Sequence, residues 1–295
     1  APLGIDENGD FRISIAGAQE KTAFLRDGDR WLKPSGTTPT THIFKPQIGR
    51  LPNGIDLSNS VENEFFCLTL LKALGLQAAN VEIATFGEKR VLIVERFDRE
   101  TARDGRLLRV PQEDFCQAMG IPWTLKHERE GGPGILSSLD LLGASDEVML
   151  DRLAFFKTMI AFWLLGATDG HGKNFSLFLH PGGGFRMTPL YDVLSAQPSV
   201  DAGQIRRNRM KLAMAVGDRR HYGVDDIVPR HFIQTGARAG LDQDTVSAIF
   251  GELGADASPA LVKTLAVLPR DFPPAVSGSI ARGFEARLAQ LSKCR

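Results

Sequence analysis

The sequence predicts an α+β fold of two lobes, a small sheet-containing N-lobe followed by a larger, mainly helical C-lobe. Three observations predict it. Short apolar runs alternate with turn signals through the first third of the chain, and one segment among them carries apolar residues at helical spacing. Beyond Arg96-Phe97-Asp98 the periodicity is helical for most of the remaining length. That change of character places the lobe boundary near residue 98, giving an N-lobe of 1–98 and a C-lobe of 99–295.

Taken in order, strands are expected at 11–15, 22–25, 41–44, 81–85 and 91–94, as a mostly antiparallel sheet. Residues 61–74 form the helix among them, with apolar side chains at 61, 65, 68, 71 and 74, and Asn59 with Glu62 predicts a capping-box-like start. A charged segment to Arg109 follows the boundary. Helical spacing then runs through Ala118 and again over 147–165. Gly131-Gly132-Pro133-Gly134 is a loop between helices, and Pro181 to Gly184 is a tight connection between two strands, hence a hairpin. No internal repeat interrupts this order.

Composition narrows the function classes. Of 295 residues 43% are hydrophobic and 24% charged, the balance of a folded globular chain. Lys plus Arg equals Asp plus Glu at 35 each, so no global field draws the chain onto nucleic acid or anionic lipid. The run Arg206, Arg207, Arg209 and Lys211 is local and reads as solvated surface. Cys67, Cys116 and Cys294 are far apart, without a CxxC pair, which fits a reducing cytoplasm. The most apolar stretch, 155–165, is interrupted by Lys157 and falls short of the ~20 residues that span a bilayer, so it reads as a core helix and no membrane is expected.

The strongest chemical signal is Thr168-Asp169-Gly170-His171-Gly172-Lys173-Asn174, polar residues between an apolar helix and a strand. Asp169 stands five residues before Asn174, the spacing of a kinase catalytic loop, where Asp takes the proton of the attacking hydroxyl and Asn holds Mg2+. A hairpin returns to its starting end, so Asp192, just after the second strand, should lie beside Asn174, just before the first. Two oxygen ligands then converge, as Mg2+ requires. Taken alone, Asp169 and Asp192 read equally as helix or turn caps. A P-loop is excluded: Ala167 replaces its first glycine, Asn174 follows Lys173, and the segment follows a helix.

Lys45 closes the run Thr41-His42-Ile43-Phe44-Lys45-Pro46, on the face of Ile43, where a strand lysine can clamp phosphates. Its expected partner is Glu64 or Glu62, against the plain alternative of a solvated edge charge. The segment Ser14 to Lys21 joins two strands through small residues, with amides able to approach phosphate oxygens, although with a single glycine it reads, taken alone, first as an ordinary hairpin turn. Glu95-Arg96-Phe97-Asp98 is positioned as a hinge that could present backbone groups to adenine.

Seven separated motifs, SIAGAQEKTAFL, TTHIFKP, ENEFFCLTLLKALGL, VERFDR, PQEDFCQ, GATDGHGKNFS and TPLYDV, together resemble, in order, the HipA family of serine/threonine kinase toxins, from about residue 3 to Pro273. The resemblance implies a two-lobed protein-kinase-like fold using ATP and Mg2+, with Asp169 as catalytic base, Asn174 and Asp192 as metal ligands, and Lys45 on the ATP phosphates. It also implies that Ala16, Gly17, Ala18, Gln19, Glu20 and Lys21 cover the nucleotide. Glu95, Arg96 and Phe97 would contact adenine through the backbone, while His171, Gly172, Lys173, Asn174, Tyr191 and Asp192 complete the pocket. Ser14 matches the family's autophosphorylated serine, whose phosphate would add roughly two negative charges where ATP phosphates lie.

Members act on translation, one of them on glutamyl-tRNA synthetase. The resemblance therefore implies a translation-related protein substrate such as an aminoacyl-tRNA synthetase. It further implies a helix-turn-helix antitoxin partner of the HipB kind, with operator DNA contacted mainly through that antitoxin. Family members usually carry a further N-terminal subdomain, and the chain is expected to start just after it. Two rival readings use the same residues: a small-molecule or lipid kinase, separated by the identity of the acceptor, and a pseudokinase that binds antitoxin or DNA without catalysis.

Overall fold

The computed structural model describes residues 19–52 and 54–291. The strand expected at 11–15, Ser14, the loop residues Ala16, Gly17 and Ala18, and Cys294 lie outside the described residues.

The chain opens with β1 (Thr22–Asp27), β2 (Arg30–Leu32), β3 (His42–Pro46), β4 (Gly49–Arg50) and β5 (Asp56–Leu57), then α1 (Ser60–Ala73), β6 (Val81–Phe86) and β7 (Lys89–Glu95). A five-stranded sheet runs in the order β2-β1-β3-β7-β6, every pairing antiparallel. Its two faces follow the strand period. Phe44, Val91 and Ile93 collect Phe24 and Trp31 on one side, while Ile43, Leu92 and Val94 meet Val61 of α1 on the other. Lys45 pairs with Leu92 in register and lies on the α1 side, as the alternation predicts.

The start of α1 corrects one expectation. Asn59 makes no side-chain cap. Gln47, arriving just after β3, does the capping: its Oε1 accepts from the Val61 amide at 2.8 Å and from Ser60 Oγ at 3.2 Å. Its Nε2 donates to Glu62 at 2.7 Å. A residue distant in sequence thus satisfies the helix end, which ties α1 to the lysine strand.

Past the hinge come the hairpin β8 (Arg99–Thr101) and β9 (Leu107–Arg109), then β10 (Gln112–Asp114) and the short α2 (Phe115–Ala118). Helices α3 (Ile135–Leu141) and α4 (Val148–Leu165) precede the expected hairpin, β11 (Ser176–Leu179) and β12 (Phe185–Met187), which joins β10 in a three-stranded sheet. The remainder is α5 (Gln197–Asp201), the pair β13 (Lys211–Val216) and β14 (His221–Gly223), α6 (Pro229–Arg238), α7 (Gln243–Ala266) and α8 (Pro274–Leu291). Arg206, Arg207, Arg209 and Lys211 are exposed, with Arg207 paired to Asp225 at 2.6 Å. No helix among the described residues is long and apolar enough to cross a membrane.

The largest hydrophobic cluster runs from α1 to α8 through Phe66, Leu70, Phe155, Trp163, Leu253 and Phe284. Side chains therefore bury α1 on nearly every side, including Glu62, Asn63 and Glu64. Asn63 fastens it to the C-terminal part in both directions: Nδ2 donates to Ser195 O, and Oδ1 accepts from the Ser195 amide, both at 2.8 Å.

Candidate active site

Lys45 is 5% exposed, a placement that an ammonium tolerates only with counter-charges. It has two. Its Nζ lies 2.6 Å from Glu64 Oε1 and 3.0 Å from Asp192 Oδ1. Burial alone would push the ammonium down, but the two carboxylates outweigh it and hold it above its ordinary value. Burial pushes the Glu64 carboxyl up against the pull of Lys45, whereas Lys45 holds the less enclosed Asp192 below the usual carboxylate range. Glu62 is engaged elsewhere, 2.6 Å from Arg90. Of the two glutamates the sequence offered, the partner is Glu64. Lys21 adds a second, partly buried cation; burial, then Lys45, push it down, while Asp192 and Glu64 oppose them.

The Asp169–Asn174 loop is aimed by the end of α4. Gly166 stops the helix at φ +66°, the left-handed region that favours glycine. The last carbonyls are held: Arg287 of α8 donates to Leu164 O at 2.9 Å, and Ser195 Oγ donates to Leu165 O at 2.6 Å. Burial pushes that guanidinium down to about 10. In the loop, the Asp169 carbonyl accepts from the His171 amide at 2.8 Å and from Asn174 Nδ2 at 2.7 Å, which leaves the Asn174 amide oxygen as its ligand end. The Asp169 side chain is 64% exposed.

Tyr191 closes the open end of the hairpin. Its hydroxyl meets Ser176 Oγ at 2.6 Å and donates to the Lys173 carbonyl at 3.0 Å, so Tyr191, the residue before Asp192, lies against Lys173, the residue before Asn174. Asp192 itself has φ +59°, the left-handed region that aspartate tolerates better than most side chains. At the hinge, Phe97 packs on Phe178 and Tyr191, both at 5.7 Å between ring centroids. The amides of Glu95 and Arg96 donate to Asn80 O and Thr41 O, which among the described residues leaves the Phe97 amide as the hinge donor.

Lys21, Lys45, Tyr191, Asp192, His171, Gly172 and Asn174 thus come together around the Asp169 loop, with Phe97 against Tyr191. Other predicted residues turn elsewhere. Lys173 Nζ is engaged by Asp114 at 2.6 Å, Gln19 Nε2 donates to Pro46 O at 2.8 Å, and the Glu95 carboxylate accepts from Asn80 at 2.7 Å. Arg96 grips Asp98 through Nε at 3.0 Å and Nη2 at 2.9 Å, so its guanidinium is engaged within the 95–98 segment. A surface cavity of about 330 Å³ lined by Arg26, Thr41, His42, Glu95, Arg96 and Arg99 has neither Lys45 nor any residue of the 168–174 loop in its lining. Sequence reasoning missed His127, whose ring meets that of His171 at 5.0 Å. The available signal was the 131–134 glycine run: a Cβ at Gly132 would stand 2.1 Å from Leu125 O, so the glycine lets this segment fold tightly beside the loop.

A sheet with a buried lysine-glutamate pair, set against a helical part that carries an Asp-to-Asn loop and a following Asp, defines a protein-kinase-like α+β fold. The chain belongs to the HipA-like C-terminal domain family, whose model matches residues 13–261. It is 34% identical to the serine/threonine-protein kinase toxin HipA of Shewanella oneidensis over 72% of this chain and 48% of that one. It is 40% identical to Y4mE of Sinorhizobium fredii, named as a candidate kinase, over 74% of this chain and 49% of that one. The chain thus spans about half the length of these curated relatives. Among solved structures it resembles HipA of Shewanella oneidensis MR-1, determined with HipB and operator DNA, at a TM-score of 0.78 and 26% identity over 99% of this chain and 67% of that one. The proinflammatory kinase CtkA of Helicobacter pylori shares the fold at a TM-score of 0.59 and 13% identity, over 84% of this chain and 87% of that one.

Proposed function

We propose that the chain is an ATP- and Mg2+-dependent serine/threonine protein kinase, the toxin of a toxin–antitoxin pair. The observation that carries this is the buried Lys45–Glu64–Asp192 triad beside the Asp169–Asn174 loop. The residues fit both absent groups. Asp192, held ionised, and the Asn174 amide oxygen are the hard oxygen pair that suits Mg2+, and Lys45 with Lys21 supplies cations for phosphates. Bound Mg2+ would neutralise charge on the phosphate oxygens.

The chain's own residues do the rest. Glu64 keeps Lys45 aimed into the cleft, where the ammonium holds a phosphate oxygen in place of Asp192. The Glu95 carbonyl and Phe97 amide take the adenine edge, while Phe97 and Tyr191 wall its face and residues 16–21 cover the phosphates. Asp169, exposed on the acceptor side, accepts the proton of the incoming hydroxyl. A substrate as large as a protein can reach it there.

The HipA likeness supports a translation-related substrate, with glutamyl-tRNA synthetase the first candidate among aminoacyl-tRNA synthetases. Its solved complex with HipB and operator DNA supports a HipB-like antitoxin partner, and in this proposal that partner is a helix-turn-helix protein that carries most of the operator contact. Autophosphorylation at Ser14 would place about two negative charges by the phosphate site and switch the enzyme off. The test is labelled ATP with Mg2+ and a panel of synthetases. One labelled synthetase band is expected, and label only in a small soluble or lipid product would refute the protein-kinase reading. A Ser14→Asp variant is expected to lose ATP turnover; wild-type turnover would refute the switch.

A further inference from the structure

Three ligand-type side chains converge on the acceptor side of the loop, outside the oxygen pair assigned to Mg2+. His127, Asp169 and His171 each offer one ligand atom, and these atoms lie within 4.8 Å of one another. His171 Nε2 stands 3.7 Å from Asp169 Oδ1, and the two imidazoles meet edge to face at 5.0 Å and 80°. His171 is 4% exposed, and its Nδ1 has no hydrogen-bond partner among the described residues. No protein acceptor therefore fixes its tautomer, and either nitrogen can present a lone pair.

The backbone holds this arrangement without a nucleotide. The Gly172 amide donates to Lys126 O at 3.2 Å, and the amides of Glu130 and Gly132 donate to His127 O at 2.9 and 3.0 Å. Two imidazole nitrogens and one carboxylate oxygen suit Zn2+ and its neighbours in the transition series, while Mg2+ prefers an all-oxygen set. Zinc bonds of about 2.0–2.2 Å place neighbouring ligand atoms somewhat over 3 Å apart, close to the His171–Asp169 separation already present. Rotation of half-buried His127 and exposed Asp169 provides the remaining closure.

We propose that His127, Asp169 and His171 form a site for a Zn2+-class transition ion whose occupancy blocks phosphotransfer by taking the carboxylate that should receive the acceptor's proton. The inhibitory half rests on the kinase reading; the binding half does not. Asn174 and Asp192 are not among the three ligands, so the ion would leave the Mg2+ oxygen pair in place and compete with the acceptor hydroxyl for Asp169.

Co2+ titrated into the nucleotide-free chain is the probe. One equivalent should bind with the intense visible bands of a four-coordinate ion and be displaced by Zn2+. Losing an outer-shell partner costs a metal site about 10–100-fold, so removing a ligand, in His127→Ala and separately in Asp169→Asn, should weaken Co2+ binding at least tenfold. With Mg2+ and ATP, Zn2+ should inhibit the wild type, and in His127→Ala the inhibitory concentration, referred to that variant's own rate, should rise at least about tenfold. Co2+ affinity unchanged in both variants, or Zn2+ inhibition equal in wild type and His127→Ala, overturns the proposal. If His127→Ala does not fold, Asp169→Asn, altered at an exposed side chain, decides the binding arm. Absence of any phosphotransfer with Mg2+ would refute the kinase reading and leave the Co2+ titration to judge the site.

Discussion

Lys45 and Asp98 show two ways in which single buried charges are kept. Lys45 shares two carboxylates and faces a cleft; Asp98, 2% exposed, is enclosed by Arg96 and by Arg99 Nη1 at 2.7 Å. Burial would raise the Asp98 carboxyl, but the two guanidinium groups outweigh it and hold it below the usual range. Replacing it leaves both cations without their counter-charge, so Asp98→Asn is expected to cost about 3 kcal/mol in urea unfolding at pH 7. A group whose folded pKa is depressed contributes stability above its unfolded value and loses it as pH falls through the folded one. The difference between wild type and Asp98→Asn should therefore hold from pH 7 to about 5 and shrink below about 4, which thermal melts across that range will check. Lys45 was legible because strand alternation and a closing proline fix its face. The choice of Glu64 over Glu62 was not, because both sit near the start of α1 and the partners that engage Glu62, Arg90 and Gln47, come from other parts of the chain. His127 was not legible either, since its contact with His171 exists only after the chain has folded back.

The elements carry this information to different degrees. The β11–β12 hairpin could be read directly: two strand runs around a glycine-rich turn pair antiparallel, with Leu177 opposite Met187. The α1 start was misread, because an Asn before a helix signals a cap locally while Gln47 supplies one from a distance. The 169–174 loop is positioned by close packing that spacing does not reveal. A Cβ on Gly172 would stand 2.6 Å from Pro133 Cγ and 2.9 Å from Cys116 Sγ, so Gly172→Ala must push the loop off the 131–134 run. Overpacking of this kind costs about 1–3 kcal/mol, and a loop displaced by about 1 Å loses on the order of 10²-fold in rate. Steady-state phosphotransfer beside a thermal melt will check this; a variant with wild-type kcat would show that the contact does not position Asp169. Tyr191→Phe removes the hydroxyl that joins Ser176 to Lys173 and is expected to destabilise the chain by about 1 kcal/mol and weaken nucleotide binding, as calorimetric titration would show.

The two-lobed α+β reading follows from periodicity, which is local, and it is the architecture found. Periodicity could not show that one core runs from α1 to α8, across the place where the hydrophobic pattern changes character. That continuity matters for function. Helix α1 is fastened through Asn63 and Ser195 and buried on nearly every side, so the chain's own packing holds Glu64 beside Lys45. With 35 basic and 35 acidic residues, the chain alone is expected to show no salt-resistant binding to duplex DNA in gel-shift assays, and DNA binding should appear only with an antitoxin. Phosphotransfer through Asp169 is the central claim, and intact mass of the freshly dephosphorylated chain after incubation with ATP and Mg2+, beside Asp169→Asn, tests it most directly. One added phosphate, located at Ser14 by fragmentation and missing from the variant, is the predicted result; an unmodified wild type, or a variant modified to the same extent, would contradict it.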